Sequence, residues 1–281
     1  MRKTFGSPPP GFSSEHLRGH LIVLEGADGS GRTTEVGMLR DWLEIQGHPV
    51  VDTGLRRSTL VGPEIDRAKQ GHTLSATTMA LFYAADFADQ LENKILPSLA
   101  AGSTVLADRY VYTLMARAVV RGATRDWANR LYGFAVVPDL TVILDARPEI
   151  LLHRAIGRYG SLDYWESGMD LSLSRDRFES FFRYQERLKA EFDWMSDHYG
   201  FHRVDANRDP QSVHRDVVRW VAPLYSESDT GELDSGTVTA HASLARSTGG
   251  ASSPTRAARP KAPPAPAPRS ARRPPASDGS D

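Results

Sequence analysis

The segment GADGSGRTT, residues 26–34, has the residue types and spacing of a phosphate-binding loop. Gly26, Gly31 and Thr33 match the pattern G-x-x-x-x-G-K-[ST], but Arg32 stands where the pattern has lysine. Glycines let a loop turn its amides toward an anion, and a helix that starts near Thr33 directs the positive end of its dipole to the same point. We therefore expect the loop to bind the phosphates of a nucleotide. The loop residues predicted to contact this nucleotide are Gly26, Ala27, Asp28, Gly29, Ser30, Gly31, Arg32, Thr33 and Thr34.

A carboxylate stands where it could hold a metal ion beside this loop. Asp108 ends the apolar run TVLA, at the carboxyl end of a predicted strand. There it could bind Mg²⁺ together with the hydroxyl of Thr33, while Arg32 reaches the β- and γ-phosphates. Arg109 follows Asp108 directly, so the two residues could instead form a structural ion pair.

Short apolar runs alternate with longer amphipathic segments along the chain. The predicted strands cover 20–26, 49–54, 103–110, 138–146 and 201–206. The predicted helices cover 33–48, 76–102, 125–136, 147–160, 175–200 and 209–225. This alternation indicates an α/β fold with a mostly parallel sheet and helices on both faces. Ligands of such folds bind beyond the carboxyl ends of the strands, where the glycine-rich loop is expected to lie.

The composition argues against several classes of protein. The 281 residues include 34 Lys and Arg and 35 Asp and Glu, so no overall positive charge marks a binder of nucleic acid or acidic membranes. There is no cysteine, which excludes disulfides and thiolate chemistry and favours a cytoplasmic location. No run of about 20 apolar residues is present, so we expect no membrane span.

Composition also divides the chain into three parts. Residues 1–18 contain three consecutive prolines among small and charged residues, which predicts a flexible leader. Residues 19–225 have the length and patterning of one α/β domain. Residues 226–281 are rich in Ser, Gly, Pro, Ala and Arg and hold few large apolar side chains, so a disordered tail is predicted.

Several segments, taken together, resemble one protein family. They are LIVLEGADGSGRTT (21–34), LFYAAD (81–86), VLADRY (105–110), PDLTVILDARPEILLHRAIGR (138–158) and VDA (204–206). In this order and at these intervals they resemble the thymidylate kinases, which phosphorylate dTMP with ATP. The resemblance covers about residues 20–220. It implies a P-loop NTPase fold of the nucleoside monophosphate kinase type, ATP and Mg²⁺ as cofactors, small-molecule nucleotides as substrates, and a homodimer.

The resemblance also assigns roles in binding the acceptor nucleotide. Asp28 matches an acidic residue that approaches the acceptor's sugar hydroxyl, and Arg109 matches the arginine that holds the acceptor's phosphate. Arg57 lies near the position at which the family has a second phosphate-binding arginine. The alignment is loose, because the family's R-E-P-G motif is absent and Gly54 falls near that position. A solvated loop arginine is the alternative for Arg57. The residues that the resemblance places at the acceptor are Asp28, Arg57, Phe82, Tyr83, Arg109 and Tyr110.

The aromatic residues and the acceptor's base are less defined. Phe82 and Tyr83 are alternatives for the ring that stacks on the base, and we expect the other ring to lie in the core. Phe87 stands where the family has a base-contacting arginine, and Leu114 and Arg117 also depart from the family's pattern. The identity of the base therefore stays open.

The resemblance implies a mobile lid over ATP that begins at Arg154 and Arg158. Arg154 is predicted to bind ATP and Arg158 to be catalytic, although two arginines four residues apart could simply form a solvated helix face. Arg175 and Arg177 are the other candidates for the arginine that reaches the transferred phosphate.

The expected activity is therefore phosphoryl transfer from ATP to a nucleoside monophosphate, most simply dTMP. The predicted catalytic residues are Arg32, Asp28, Arg109 and Arg158. One alternative is a kinase with another acceptor. Another is a non-catalytic nucleotide-binding protein that uses its basic tail to contact an acidic partner. On residue type alone, we expect Arg32→Lys to speed transfer, because a guanidinium is bulkier than the ammonium that such loops usually hold.

Overall fold

The computed structural model describes residues 2–71 and 74–226, except for the side chains of Arg158 and Tyr159. The predicted tail, residues 226–281, lies outside the described residues apart from Ser226.

Five parallel strands form one sheet in the order β2-β3-β1-β4-β5. The strands are β1 (Leu21–Glu25), β2 (Val50–Gly54), β3 (Thr104–Asp108), β4 (Leu140–Asp145) and β5 (His202–Asp205). Each lies inside a predicted strand, so the parallel α/β sheet is confirmed. Strands β1 and β3 are neighbours, and Leu24 pairs in register with Asp108. This register brings the end of β3 next to the glycine-rich loop that follows β1.

Helices connect the strands and cover both faces of the sheet. They are α1 (Arg32–Ile45), α2 (Gly62–Gly71), α3 (Ala76–Gln90), α4 (Leu96–Ala100), α5 (Val111–Val120), α6 (Arg125–Leu131), α7 (Pro148–Tyr159), α8 (Arg177–Tyr199), α9 (Pro210–Val221) and α10 (Pro223–Ser226). Within the described ranges, no helix is both long enough and apolar enough to span a membrane.

The hydrophobic core consists of one cluster on each face of the sheet. Successive residues of β1 point to opposite faces. Leu21 and Val23 pack on the face covered mainly by α3, α5 and α8. Ile22 and Leu24 pack on the face covered mainly by α1, α7 and α9. Because both faces are covered, the strand is apolar along most of its length.

Some helices differ from the sequence-based prediction. The long helix predicted over 76–102 is interrupted by a π-helical turn, Leu91–Ile95, just before Pro97. Proline lacks an amide hydrogen and its ring collides with a regular helical turn before it, so the wider turn accommodates it. Helix α5 was not predicted because most of its residues are buried, which hides the helical period of its apolar residues.

Several side chains of residues 2–18, the predicted flexible leader, contact the domain. The amide of Phe5 donates to the carbonyl of Ala135 at 3.0 Å. The Phe5 ring meets the edges of Tyr112 and Tyr199, with centroid distances of 5.5 and 5.7 Å. The sequence did not predict these contacts, because the segment packs through a few isolated aromatic and leucine side chains rather than through a periodic apolar face.

Replacing Phe5 with alanine tests whether the N-terminal segment is part of the folded domain. Phe5→Ala removes both ring contacts, and we expect the free energy of unfolding in urea to fall by about 2–4 kcal/mol. Phe178→Ala is the control, because Phe178 is 51% exposed on α8; its effect should stay within about 0.5 kcal/mol. Equal, small effects of the two substitutions would contradict the packing of the N-terminal segment.

Candidate functional site

A large cleft, with a volume of about 1110 Å³, lies at the carboxyl end of the sheet. Residues 28–34 of the glycine-rich loop line it, as does Arg154. Gly26 and Ala27 do not line the cleft, although the sequence places them at ATP. Their carbonyls instead accept hydrogen bonds from Arg32.

The loop needs glycine where it leaves β1. Gly26 has a φ of 142°, and a Cβ there would lie 2.7 Å from the carbonyl oxygen of Leu144. Gly31, with a φ of 102°, precedes the first residue of α1. The amides of the first helical turn have no partners within the helix, so they are available to an anion in the cleft.

Arg32 is fitted between the loop and β3. Its Nε donates to Asp108 Oδ1 at 3.0 Å. Its Nη1 donates to the carbonyls of Gly26 and Ala27, both at 2.5 Å, and to the Ser30 hydroxyl at 3.2 Å. The side chain is only 7% exposed, and it lines the cleft. Its Nη2 has no hydrogen-bond partner among the described residues, so this amino group remains available to a ligand.

Asp108 and Thr33 form an oxygen-rich corner beside Arg32. The Thr33 hydroxyl donates to Asp108 Oδ2 at 2.8 Å, while Arg32 occupies Oδ1. Burial raises the pKa of Asp108, but the charge of Arg32 and the bond from Thr33 outweigh it, so the pKa lies below its ordinary value. A carboxylate that stays ionised and a hydroxyl are hard oxygen ligands, and together they fit Mg²⁺.

Asp28 joins the loop to two arginines. It forms ion pairs with Arg109 and with Arg117, the latter at 2.8 Å. Burial raises the pKa of Asp28, but the two guanidinium charges more than offset this effect, and the pKa lies well below its usual range. The contact with Arg117 was not predicted from the sequence. Asp28 therefore fixes the direction of both arginines at the cleft.

Arg109 adopts an unusual backbone conformation that Glu25 supports. The φ of Arg109 is 76°, which is costly for a residue with a Cβ. Glu25 is completely buried, and its Oε1 accepts from the amides of Tyr110 and Thr113 at 2.9 and 3.2 Å. Its Oε2 accepts from the Thr113 hydroxyl at 2.5 Å. Glu25 thus anchors the turn that holds Arg109 at the cleft. In the sequence, the only indication of this role is an acidic residue at the end of the apolar run LIVL.

Arg57 lines the cleft on a loop that Asp86 anchors. The buried carboxylate of Asp86 accepts from the amides of Arg56 and Ser58 at 2.8 and 3.0 Å. Arg56, with a φ of 62°, is thereby held in a strained conformation. A Cβ on Gly54 would lie 3.1 Å from Arg57 Nε, so the Arg57 side chain fills the space above that glycine. Asp86, the last residue of the segment LFYAAD, was not among the predicted site residues.

The structure separates the two aromatic candidates. Tyr83 lines the cleft, whereas Phe82 packs against the core. Phe87 is also in the core, where its ring meets Tyr110 edge-on at 5.0 Å. Tyr110 was placed at the acceptor, but it is 1% exposed, and its hydroxyl donates to the carbonyl of Val136. This corrects the assignment of Tyr110, which packs where α5 begins and does not reach the cleft.

The segment after α7 forms one side of the cleft; we call residues 162–173 the wall segment. Arg121, the residue that caps the C-terminus of α5, binds both carboxylate oxygens of Asp170, at 2.7 and 3.2 Å, and also the hydroxyl of Tyr184 at 3.0 Å. The indole of Trp165 donates to the carbonyl of Lys69 at 3.1 Å. The resemblance implies a mobile lid over ATP here. In the structure this segment is tied to α2, α5 and α8.

The arginines of the expected lid take different positions. Arg154 donates to the carbonyls of Gly29 and Ser30, at 3.2 and 3.3 Å, and to that of Ala206 at 2.9 Å. It therefore braces the loop from the side of α7. Arg158 lies one helical turn later, and its side chain is outside the described part of the chain.

The remaining two arginine candidates lie away from the cleft. Arg177 donates to the carbonyl of Leu162 at 3.2 Å, and neither Arg175 nor Arg177 lines the cleft.

The cleft also holds an unpaired acid. Glu166 of the wall segment lines the cleft and forms no ion pair within the described residues. Burial, together with the nearby charges of Asp28 and Asp163, raises the pKa of Glu166 to about 7. This carboxyl therefore changes charge near neutral pH.

Comparisons with known proteins agree with this geometry. The family model described as "Thymidylate kinase" matches residues 24–217. The chain is 37% identical to "Probable thymidylate kinase 2" of Saccharolobus solfataricus, over 72% of this chain and 94% of that protein. It is 34% identical to "Thymidylate kinase" of Jannaschia sp., over 74% of this chain and 98% of that protein. It is 35% identical to "Thymidylate kinase" of Ruegeria pomeroyi, over 72% and 94% respectively. The resemblance found in the sequence is confirmed, and the chain belongs to the thymidylate kinase family.

Proposed function

We propose that the protein transfers the γ-phosphoryl group of ATP to the phosphate of dTMP, giving ADP and dTDP. The observation that carries this proposal is the pair of cationic sites on the two sides of Asp108. One is the glycine-rich loop with Arg32, and the other contains Arg109 and Arg57. Family membership supports dTMP as the acceptor, since the relatives named above are thymidylate kinases.

ATP would bind along the loop. The free amides of residues 31–34 would hold its phosphates, and Arg32 would donate from Nη2 while its other nitrogens keep the loop in shape. Arg154 braces the loop carbonyls, so its contribution to ATP binding would be to hold the loop in position. This differs from the direct contact with ATP that we expected.

Thr33 and Asp108 would hold Mg²⁺. When bound there, the ion would offset the negative charge that the β- and γ-phosphates share during transfer. Arg32 would stay on the other carboxylate oxygen of Asp108. This arrangement is a proposal that rests on the hard oxygen ligands at this corner.

The acceptor's phosphate would bind between Arg109 and Arg57, because two guanidinium groups suit a dianion. One of its oxygens would attack the γ-phosphorus of ATP. The bond between that phosphorus and the β,γ-bridging oxygen would break, and ADP would leave with the electron pair. No general base is required, since the attacking oxygen already carries negative charge.

The other groups have supporting roles in this proposal. Asp28 would approach the sugar hydroxyl of the acceptor, and Tyr83 would stack on its base. Arg158 would reach the transferred phosphate, which its place one turn after Arg154 supports. The wall segment would exclude water and so suppress hydrolysis of ATP. By analogy with the family, we also propose a homodimer in the cytoplasm.

Phe87 and Arg117 favour testing a second acceptor. Phe87 lies in the core and offers no donor to a base, while Arg117 lines the cleft. Both features differ from the family pattern described above. A kinase that acts on another nucleoside monophosphate would share the loop, the metal site and the phosphate-binding arginines.

Turnover with a panel of acceptors tests the proposed function. The purified protein is incubated with ATP, Mg²⁺ and, separately, dTMP, dUMP, dCMP, dGMP or UMP, and ADP and nucleoside diphosphate are quantified. We expect dTDP to form fastest. Arg109→Ala, prepared identically, is the control for contaminating host kinases, and it should lose about 100-fold or more of the rate.

The panel also separates the rival functions. Preferred turnover of another nucleotide would keep the kinase and replace its acceptor. Binding of ATP without turnover of any acceptor would contradict phosphoryl transfer and favour a non-catalytic role.

The contacts of Arg32 reverse the expectation from residue type. A lysine offers one ammonium, which cannot bind Asp108 and three loop oxygens in the geometry of the guanidinium fork. We expect Arg32→Lys to lower kcat by about tenfold and Arg32→Ala by about 100-fold or more. Arg40→Lys is the matched control, because Arg40 lies on the same helix and pairs with Asp52 outside the cleft; its kcat should be unchanged. If kcat of Arg32→Lys equals or exceeds that of the natural protein, the shape of the loop does not depend on the guanidinium contacts of Arg32.

A further inference from the structure

Most cationic side chains of the cleft already have a partner in the protein. Arg32 pairs with Asp108, Arg109 and Arg117 pair with Asp28, and Arg121 pairs with Asp170. The same holds for the other arginines of the cleft, Arg56, Arg154 and Arg208, which bind carboxylates or carbonyls. Of the described side chains that line the cleft, only two cations have neither kind of partner. They are Arg57 and Lys69.

Lys69 is held at the cleft by its backbone. It lies in the last turn of α2, and its carbonyl accepts a hydrogen bond from the Trp165 indole at 3.1 Å. The contact ties α2 to the wall segment. The backbone of Lys69 is therefore held in place, and its half-buried side chain lines the cleft.

The surroundings of the Lys69 ammonium are unfavourable for a positive charge. Burial, with the nearby charges of Arg117 and Arg56, lowers the pKa of Lys69 to about 8. Asp163 and Asp28 act in the opposite direction but do not pair with it. A desolvated charge without a counter-ion is costly, so an anionic ligand at this position would be strongly favoured.

The cleft has enough unpaired positive charge to bind a dianion. Asp28 already faces two guanidinium groups, those of Arg109 and Arg117, so it has no capacity to neutralise a third cation. Lys69 and Arg57 together add two positive charges that form no ion pair within the described residues, although the carboxyl of Glu166, with a pKa of about 7, also lines the cleft. The second pKa of a phosphate monoester is about 6, so the group carries close to two negative charges above about pH 7.

We propose that Lys69, together with Arg57, binds the phosphate of the acceptor nucleotide. This inference deepens the proposed function and rests on it for the identity of the acceptor. Lys69 would reach the phosphate from α2, opposite Arg109, which approaches from the end of β3. Three cations from separate elements would then orient the attacking oxygen. No motif marks Lys69 in the sequence.

Isothermal titration with dTMP and with thymidine tests this role, because only dTMP carries the phosphate. Lys69→Gln should weaken dTMP binding by about tenfold or more, the range for a lost charge-assisted hydrogen bond. Thymidine and ADP should bind with unchanged affinity. Lys69→Arg keeps the charge and should stay within about threefold of the natural protein.

Arg67→Gln is the matched control. Arg67 lies two residues earlier on α2, its side chain is 70% exposed, and it does not line the cleft. This substitution removes the same charge from the same helix, so it isolates the effect of position. Its dTMP affinity should equal that of the natural protein. Thermal unfolding of every variant checks that α2 and the wall segment remain folded.

A pH series separates a phosphate contact from a purely structural role. The natural protein should lose dTMP affinity as pH rises from 7.5 to 9.5, because Lys69 loses its proton near pH 8 when no ligand is bound. Lys69→Arg should remove this part of the loss, since a guanidinium keeps its charge. Glu166 also gains charge near pH 7, but its effect is common to both proteins and cancels in the comparison.

The outcomes separate the proposed role of Lys69 in phosphate binding from the proposed kinase activity. Unchanged dTMP affinity in Lys69→Gln would overturn the role of Lys69 and leave the kinase intact. Lys69-dependent binding of dTMP without any turnover would overturn the kinase and leave the phosphate site. If dTMP does not bind to the natural protein, the same titrations with dCMP, dGMP and UMP decide, and failure of all of them would overturn both.

Discussion

The cleft depends on two carboxylates that each hold two groups at the carboxyl edge of the sheet. Asp108 binds Arg32 and Thr33, and Asp28 binds Arg109 and Arg117. Parallel pairing of β1 with β3 makes this possible, because it sets the end of one strand beside the loop that follows the other. In a cleft of low dielectric, removing one member of such a set leaves the others without a counter-charge. The carboxylates therefore fix both the shape of the loop and the directions of the arginines.

This arrangement explains how an arginine can stand in a phosphate-binding loop. A lysine in that position serves mainly as a point charge for the phosphates. Arg32 uses Nε and Nη1 to hold Asp108 and the loop, and it keeps Nη2 for a ligand. In the proposed function, the same side chain supports the loop from inside and donates to ATP. Arg154 completes the support from α7.

The sequence was informative where a local pattern determines structure. Continuous apolar runs identified the strands, and glycine spacing identified the loop, because both reflect short-range constraints. The roles of Glu25 and Asp86 were missed because each carboxylate binds two backbone amides of a distant turn, and the sequence shows only that an acidic residue ends an apolar segment. The sequence did not indicate a role for Lys69, because that role follows only from knowing which other cations of the cleft already form ion pairs. Tyr110 was misplaced because a motif gives the order of residues but not the direction of each side chain.

We propose that the paired carboxylates leave separate sites for the phosphates of ATP and of the acceptor. A crystal structure of the protein with dTMP and a non-hydrolysable ATP analogue tests it most directly. We predict that the dTMP phosphate lies within about 3 Å of the nitrogens of Arg57, Arg109 and Lys69, with Arg32 still bound to Asp108. A dTMP phosphate away from these cations, or an Arg32 that has left Asp108 while the analogue is bound, would contradict the account.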